Sequence, residues 1–265
     1  NFGVVLGDFA GIAASMELFH VSRYISVPIS ALFIWLLVTR GSYKKVEKVF
    51  LMFTFAFFGY IISAFIVKPD WSAVAQGLVV PHVEANKGYI LTMIGLIGTT
   101  ITPYMQFYLQ SAIVDKRLSI SDYKYEKLDV YFGAIWGDLV SFFIIVSTAA
   151  TLHPAGIAVD SAQQAALALK PLAGEYAFIL FGAGLFGASV LAASVIPLST
   201  SYAICEAFGW ESGVDHDYHE APAFFGIYTS LIVLSSALML ISGLDLMKLI
   251  LVTQQIAGVL VPVIL

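Results

Sequence analysis

The residues best placed to do chemistry interrupt a long apolar run at residues 88–114. Thr99 and Thr102 bring hydroxyl oxygens to the middle of this run, and Pro103 and Tyr104 follow directly. Proline has no N–H, so a helix loses one hydrogen bond at Pro103 and a preceding carbonyl group is left free. Because lipid cannot satisfy such a group, protein, water or an ion must do so. The run therefore predicts a transmembrane helix that is broken near its centre.

The oxygen atoms at this break suit a hard cation. The carbonyl of Thr99, the hydroxyl of Thr102 and the phenol of Tyr104 are neutral oxygens, which favour Mg²⁺ or Mn²⁺ that keeps some water. The end of the first half-helix is partially negative and also favours a cation. The alternative is a proline kink in which the threonine hydroxyls bond back to their own helix. The sequence leaves both interpretations open.

Three carboxylates lie within or near apolar runs, where charge is costly and usually faces a pathway or a partner. Asp8 and Asp138 have no basic neighbour in the sequence, which makes them candidates for a pathway or a proton relay, with a structural role as the alternative. Glu17 is predicted to pair with His20 or Arg23 near the end of the first run.

Two further polar groups are candidate ligands. Gln254 and Gln255 fall inside the last apolar run, where an amide either ligates an ion or joins two helices by hydrogen bonds. The sequence Asp-His-Asp-Tyr-His-Glu at residues 215–220 has the composition of a metal cluster, but it lacks the spacing of a zinc site. We expect a solvated loop there.

Composition indicates a membrane protein with several spans. The chain is 59% hydrophobic and 12% charged, whereas a soluble domain is about 25% charged. The apolar runs are too long and continuous for barrel strands, so an all-α helical bundle is predicted. About eight runs approach the length of a span: residues 2–19, 21–39, 46–67, 88–114, 130–152, 176–207, 223–241 and 246–265.

The basic residues predict an orientation, because cytoplasmic loops are enriched in Lys and Arg. Eight of the 13 basic residues lie on one side of the predicted bundle. That side is assigned to the cytoplasm, so the first run points outward and the broken run points inward. The eight residues are Arg40, Lys44, Lys45, Lys48, Lys116, Arg117, Lys124 and Lys127.

Other features narrow the function classes. The sequence contains no P-loop lysine, HExxH or GxSxG motif, so ATP-driven pumping and hydrolysis by those chemistries have no support. The net charge of −5 gives no sign of nucleic-acid binding. The run at 176–207 is rich in Gly and Ala at four-residue spacing, which predicts close packing against another helix.

Four short sequences together resemble one family. They are Asp-Phe-Ala-Gly at residues 8–11, Lys-Pro-Asp-Trp at 68–71, Thr-Pro-Tyr at 102–104, and Gln254 placed eight residues before Pro262. They resemble, in turn, the start of the third span, the loop before the sixth, the Met-Pro-His motif and the tenth-span glutamine of the Nramp divalent-metal transporters. The resemblance covers nearly the whole chain.

This resemblance implies a LeuT-like bundle of two inverted five-helix repeats, with the ion held at the broken first and sixth helices. The chain is then expected to be a single transport domain, residues 1–265, that corresponds to spans three to ten and lacks the first two spans and the end of the family fold. Thr99, Thr102, Tyr104 and Gln254 are the implied metal-site residues.

The departures from the family pattern concern the metal and the proton. Thr102 replaces a methionine that favours transition metals, Tyr104 replaces a histidine linked to proton transport, and Gly11 replaces an acidic residue. The chain thus looks most like the Nramp-related magnesium transporter branch. That resemblance implies a secondary transporter, rather than an enzyme, that moves Mg²⁺ and Mn²⁺ by alternating access without proton coupling.

Alternatives remain at this point. A proton-coupled Mn²⁺/Fe²⁺ symporter would use Asp8 or Asp138 as its relay, and an organic-solute carrier or a non-transporting scaffold would share the helical architecture. We expect a multi-pass protein of a bacterial plasma membrane, with metal ions and lipid as its partners. We expect no cofactor, no nucleic acid and no obligate protein partner.

Overall fold

The structure is a computed structural model that describes residues 1–40, 58–80, 83–115 and 118–264. Within these ranges the chain forms helices and no strand. The helices are α1 (Phe2–Glu17), α2 (Arg23–Arg40), α3 (Phe58–Val67), α4 (Trp71–Val79), α5 (Lys87–Thr100), α6 (Pro103–Asp115), α7 (Tyr123–Thr151), α8 (Ala162–Ala166), α9 (Lys170–Ala173), α10 (Ala177–Phe208), α11 (Pro222–Met239) and α12 (Leu246–Ile264).

Six segments of the described chain are long and apolar enough to cross a membrane. They comprise α2, α5 together with α6, α7 with the short turn before it, α10, α11 and α12. The apolar helices α1 and α3, of 16 and 10 residues, occupy the two remaining predicted runs. The prediction of an all-α protein with about eight spans is confirmed. Residues 46–57 of the third run, and the basic residues Lys44, Lys45, Lys48, Lys116 and Arg117, lie outside the described residues.

The main core surrounds α1, which packs against α2, α10, α11 and α12. Its side chains Val5, Phe9 and Ile12 are fully buried, as expected of a helix that is apolar on nearly every side. Two polar contacts hold α2 in place. Trp35 donates a 2.9 Å hydrogen bond to Thr229 of α11.

The second polar contact of α2 confirms a prediction from the sequence. Arg23 forms an ion pair with Glu17, with 3.3 Å between Nε and Oε1, and donates a hydrogen bond to the carbonyl of Leu244. These bonds fix the turn between α1 and α2, because they satisfy the charged groups at the end of both helices.

Small residues let α1 and α10 approach closely. A Cβ added to Gly11 would overlap the hydroxyl of Ser189, and one added to Gly182 would lie 2.7 Å from the ring of Phe19. The predicted close packing of the Gly- and Ala-rich run is therefore confirmed at these positions.

A second packing unit joins α3 and α7. Ser147 donates a hydrogen bond to Ser63 at 3.1 Å, and Ser63 donates one to the carbonyl of Ala168 at 3.1 Å. Phe65 and Phe143 add a ring contact at 5.6 Å. Because all three polar groups are buried, these bonds tie α7 to the chain segment that leads into α10.

Candidate cation site

The helix break lies where the proline predicts it. Helix α5 ends at Thr100 and α6 begins at Pro103. Ile101 has φ −115° and ψ 76°, outside the helical region, although its N–H still bonds to the carbonyl of Ile97 at 2.9 Å. The N–H of Met105 bonds to the carbonyl of Thr102, three residues earlier, rather than to the carbonyl four residues earlier as in a continuous α-helix. The helix is therefore interrupted and not merely kinked.

The threonines around the break have different environments. Thr102 is buried, with 7% of its surface exposed. Thr100 bonds back to the carbonyl of Leu96 at 2.8 Å, as the kink interpretation expects. Thr99 is exposed, and Pro103 has no N–H to offer its carbonyl group. Thr102 and the Thr99 carbonyl are thus the polar groups that the break leaves for a ligand.

Asp8 lies on α1, whose first residues line a cavity together with Tyr104. Its Oδ2 atom is buried and has no hydrogen-bond partner among the described residues. The neighbouring Gly7 explains how α1 comes so near α12, because a Cβ there would lie 2.9 Å from the hydroxyl of Thr253. A buried carboxylate oxygen without a donor is a strong attractor for a cation.

Gln254 approaches the break from α12. Its Oε1 atom is also buried, and no described residue hydrogen-bonds to it. A Cβ added to Gly98 would overlap the main-chain oxygen of Gln254 and the backbone of Gly258, and one added to Gly258 would overlap the carbonyl oxygen of Ile94. The two glycines bring the backbones of α5 and α12 into direct contact one turn before Thr102. This crossing fixes the height of Gln254 relative to the break.

A cavity of about 230 Å³ adjoins Tyr104. It lies between α1, α6 and α12, and its wall includes Asn1, Gly3, Tyr104 and Thr253. Under the predicted orientation, Asn1 marks the cytoplasmic end of α1. The cavity therefore extends from Tyr104 toward the cytoplasmic face.

The remaining candidate ligands lie elsewhere. Asp138 is exposed on α7, which packs mainly against α3. Gln255 is half-buried, and its side chain lies against Gly95 rather than at the break. The structure therefore leaves Asp138 apart from α1 and from the break.

The polar loop before α11 is held by its own hydrogen bonds. Glu220 accepts a bond from the N–H of Asp217 at 3.0 Å and lies 3.2 Å from Nδ1 of His216. The Asp217 N–H first, and His216 second, lower the pKa of the Glu220 carboxyl. Within the described ranges, no three His, Cys, Asp or Glu residues are grouped as a metal site would need. The predicted solvated loop agrees with the exposure of its side chains at Asp215 and at residues 217–220.

Two features of the site have no clear signal in the sequence. The cavity that α1 shares with Tyr104 joins helices that are far apart in the chain. The crossing at Gly98 and Gly258 has a weak signal, since each glycine lies in an apolar helix where it costs helix stability unless it packs closely.

Together, the apolar helices and the broken helix are those of a multi-pass integral membrane protein. All 265 residues match the family described as "Natural resistance-associated macrophage protein-like", Nramp. The chain belongs to the Nramp family.

Several relatives are named divalent metal cation transporter MntH. The protein from Caldanaerobacter subterraneus subsp. tengcongensis is 26% identical over 191 residues, which are 68% of this chain and 45% of that relative. The Erwinia tasmaniensis protein is 30% identical over 191 residues, with the same two shares. The Clostridium acetobutylicum protein is 28% identical over 133 residues, 48% of this chain and 30% of that relative. The match thus covers about half the length of these relatives or less. Their bacterial origin agrees with the predicted location in a plasma membrane.

Proposed function

We propose that the complete protein is a secondary transporter of divalent metal cations and that Mg²⁺ and Mn²⁺ are its substrates. One observation carries the proposal. Two buried oxygen atoms, Oδ2 of Asp8 and Oε1 of Gln254, have no hydrogen-bond partner among the described residues, and both belong to side chains near a break in a membrane helix. Such atoms are costly in a membrane interior unless a ligand satisfies them. Membership of the Nramp family and the name of the curated relatives support the same substrate class.

The choice of metal follows from the ligand atoms. Thr102, the Thr99 carbonyl, Tyr104 and Gln254 offer oxygen and no sulfur. Hard cations prefer oxygen, and Mg²⁺ in particular keeps several of its own waters when it binds to proteins. We therefore assign Thr102 and the Thr99 carbonyl to the site, with Gln254 closing it from α12 and water completing the shell.

The packing of the two half-helices suits alternating access. Helix α5 packs mainly on α12, whereas α6 packs mainly on α10. The two halves of the broken helix thus belong to different helix pairs, and a shift of one pair against the other opens the site to one side. Tyr104 separates the break from the 230 Å³ cavity and is in place to control exit toward the cytoplasm.

Transport without protons is the expected mode. Tyr104 is a phenol, which does not exchange its proton near neutral pH, so it cannot carry out the role of a titrating histidine. A proton-coupled Mn²⁺ transporter is the second candidate, and the buried Oδ2 of Asp8 is the observation that favours it.

The deciding experiment measures metal influx and internal pH together in proteoliposomes that contain the complete protein. Mg²⁺ and Mn²⁺ are supplied separately, and protein-free liposomes are the control. Influx of both ions at constant internal pH supports the uncoupled transporter. Influx of Mn²⁺ alone, accompanied by internal acidification, supports the proton-coupled alternative. Absence of influx for either ion rejects metal transport.

A further inference from the structure

Helix α4 has an exposed apolar surface among the described residues. Each of its nine residues is exposed except Val74, which is half-buried. Leu78 and Val79 are 68% and 80% exposed, and Val80 continues the apolar surface beyond the helix. Such a surface is unfavourable in water and is compatible with a position in or against the hydrocarbon of the bilayer.

A groove of about 580 Å³ separates α4 from the end of α7. Its apolar wall includes Ala73 and Gly77 from α4 and Phe142, Ile145 and Ala149 from α7. The volume falls within the range of about 300–1,000 Å³ that is typical of ligand sites. The groove is thus large enough for an extended apolar chain.

The mouth of the groove carries one available positive charge. Lys68 and Asp70 both line it, at the corner between α3 and α4. The Asp70 carboxylate accepts bonds from the N–H groups of Ser72 and Ala73, at 2.9 and 3.2 Å, and is occupied as the cap of α4. Lys68 is exposed and takes part in no ion pair within the described part of the chain. An occupant with an apolar body and an anionic end matches this arrangement.

We propose that this groove binds a membrane phospholipid, with one acyl chain between α4 and α7 and the phosphate at Lys68. In a bilayer, acyl chains surround the apolar helices α3 and α7. Lys68 follows the last residue of α3, where the apolar surface ends, so it lies at the depth of the lipid phosphates. The orientation predicted from the basic residues puts the lipid in the outer leaflet. This site is separate from the metal site, so it stands or falls independently of transport.

Photolabelling tests the acyl chain. The complete protein is purified in detergent and incubated with phosphatidylglycerol that carries a diazirine on one acyl chain, and labelled peptides are located by mass spectrometry. We expect labelling of the α7 segment that contains Ile145 and Ala149. Gly77→Phe should fill the groove and reduce that labelling at least about fivefold, because a Cβ at Gly77 meets no atom within 4 Å and the ring has room to enter. Gly226→Phe, at another helix position where an added Cβ meets nothing, is the matched control and should leave labelling unchanged.

A titration by native mass spectrometry tests the phosphate. Lys68→Gln should weaken binding of phosphatidylglycerol about fivefold, and Lys68→Arg should retain it. Equal affinity of all three proteins for the lipid rejects the role of Lys68.

Two results overturn the proposal. The first is labelling of the α7 segment that Gly77→Phe does not reduce. The second is a high-yield disulfide between cysteines placed at Ala149 and in another part of the complete protein, which would show that protein fills the groove.

Discussion

Glycines have opposite surroundings at the α5–α12 crossing and on α7. At the crossing, Gly98 and Gly258 bring two helix backbones into contact, and any side chain would collide with main-chain atoms. On α7, a Cβ on Gly133 or Gly137 meets no atom within 4 Å. The helices that carry the candidate metal site are thus fixed by backbone contact, whereas the outer helix presents an open face. A glycine in the sequence therefore does not by itself indicate a helix contact. Whether it makes one depends on which residues of other helices pack against it.

The largest effect is expected from adding a side chain at the α5–α12 crossing. Gly98→Ala should force α5 and α12 apart and destabilise the protein by about 1–3 kcal/mol, because the added methyl meets the Gln254 carbonyl and the Gly258 backbone. Gly133→Ala should be neutral or slightly stabilising, since alanine is the better helix former. Thermal unfolding in detergent measures both. A Gly98→Ala protein as stable as the Gly133→Ala protein would contradict the close crossing.

The carboxylates Asp8 and Asp138 provide a second comparison between the helices around the break and α7. Asp8→Asn should lower metal uptake about tenfold, because it removes a buried carboxyl oxygen that no described residue hydrogen-bonds and that is therefore available to a cation. Asp138→Asn should change uptake less than about twofold, since Asp138 is exposed on the outer helix. Initial uptake rates in proteoliposomes distinguish the two, and equal losses would place Asp138 on the ion pathway after all.

Substitution of Thr102 should change the selectivity among metal ions more than the overall rate of transport. Thr102→Met introduces a soft sulfur ligand and should raise the affinity for Cd²⁺ relative to Mg²⁺ about tenfold. Thr100→Met, at an exposed threonine two residues earlier whose hydroxyl bonds to its own helix, is a control for the added methionine. Calorimetry on the complete protein gives both affinities. An unchanged ratio in Thr102→Met would remove Thr102 from the site.

The smallest effect is expected in the loop before α11, which is part of neither the α5–α12 crossing nor α7. The hydrogen bonds to Glu220 lower its pKa, so they contribute stability above the usual pKa of a glutamate, and that stability is lost as the pH falls through the lowered value. Glu220→Gln should lower the unfolding temperature by about 1 °C at pH 7, and this difference should shrink as the pH falls below the usual pKa of a glutamate. A difference that stays constant as the pH falls would show that the Glu220 charge is not responsible.

The sequence predicts those parts of the fold that depend on local chemistry. Apolar length predicts the spans, the missing N–H of Pro103 predicts the break, and neighbouring charges predict the ion pair of Glu17 with Arg23. Each of these follows from residues close together in the chain.

Contacts between distant helices were beyond such reasoning. Asp8 and Asp138 look alike in the sequence, yet one has a buried carboxyl oxygen and the other is exposed, because helix packing decides which face is covered. The roles of Thr99, Thr102, Tyr104 and Gln254 in metal binding stay predictions. The position of Gln254 depends on the glycine crossing, which only the folded chain reveals.

The two residues between α5 and α6 have a mechanical consequence. Since α5 is attached to α12 and α6 to α10, a relative tilt of these pairs is concentrated in the backbone torsions of Ile101 and Thr102. The same torsions aim the free carbonyl groups that would hold a cation. With a cation bound there, the stiffness of this joint would depend on the ion as well as on the protein. A small ion such as Mg²⁺, which demands near-octahedral ligand positions, should resist the tilt more than Ca²⁺, whose coordination is flexible.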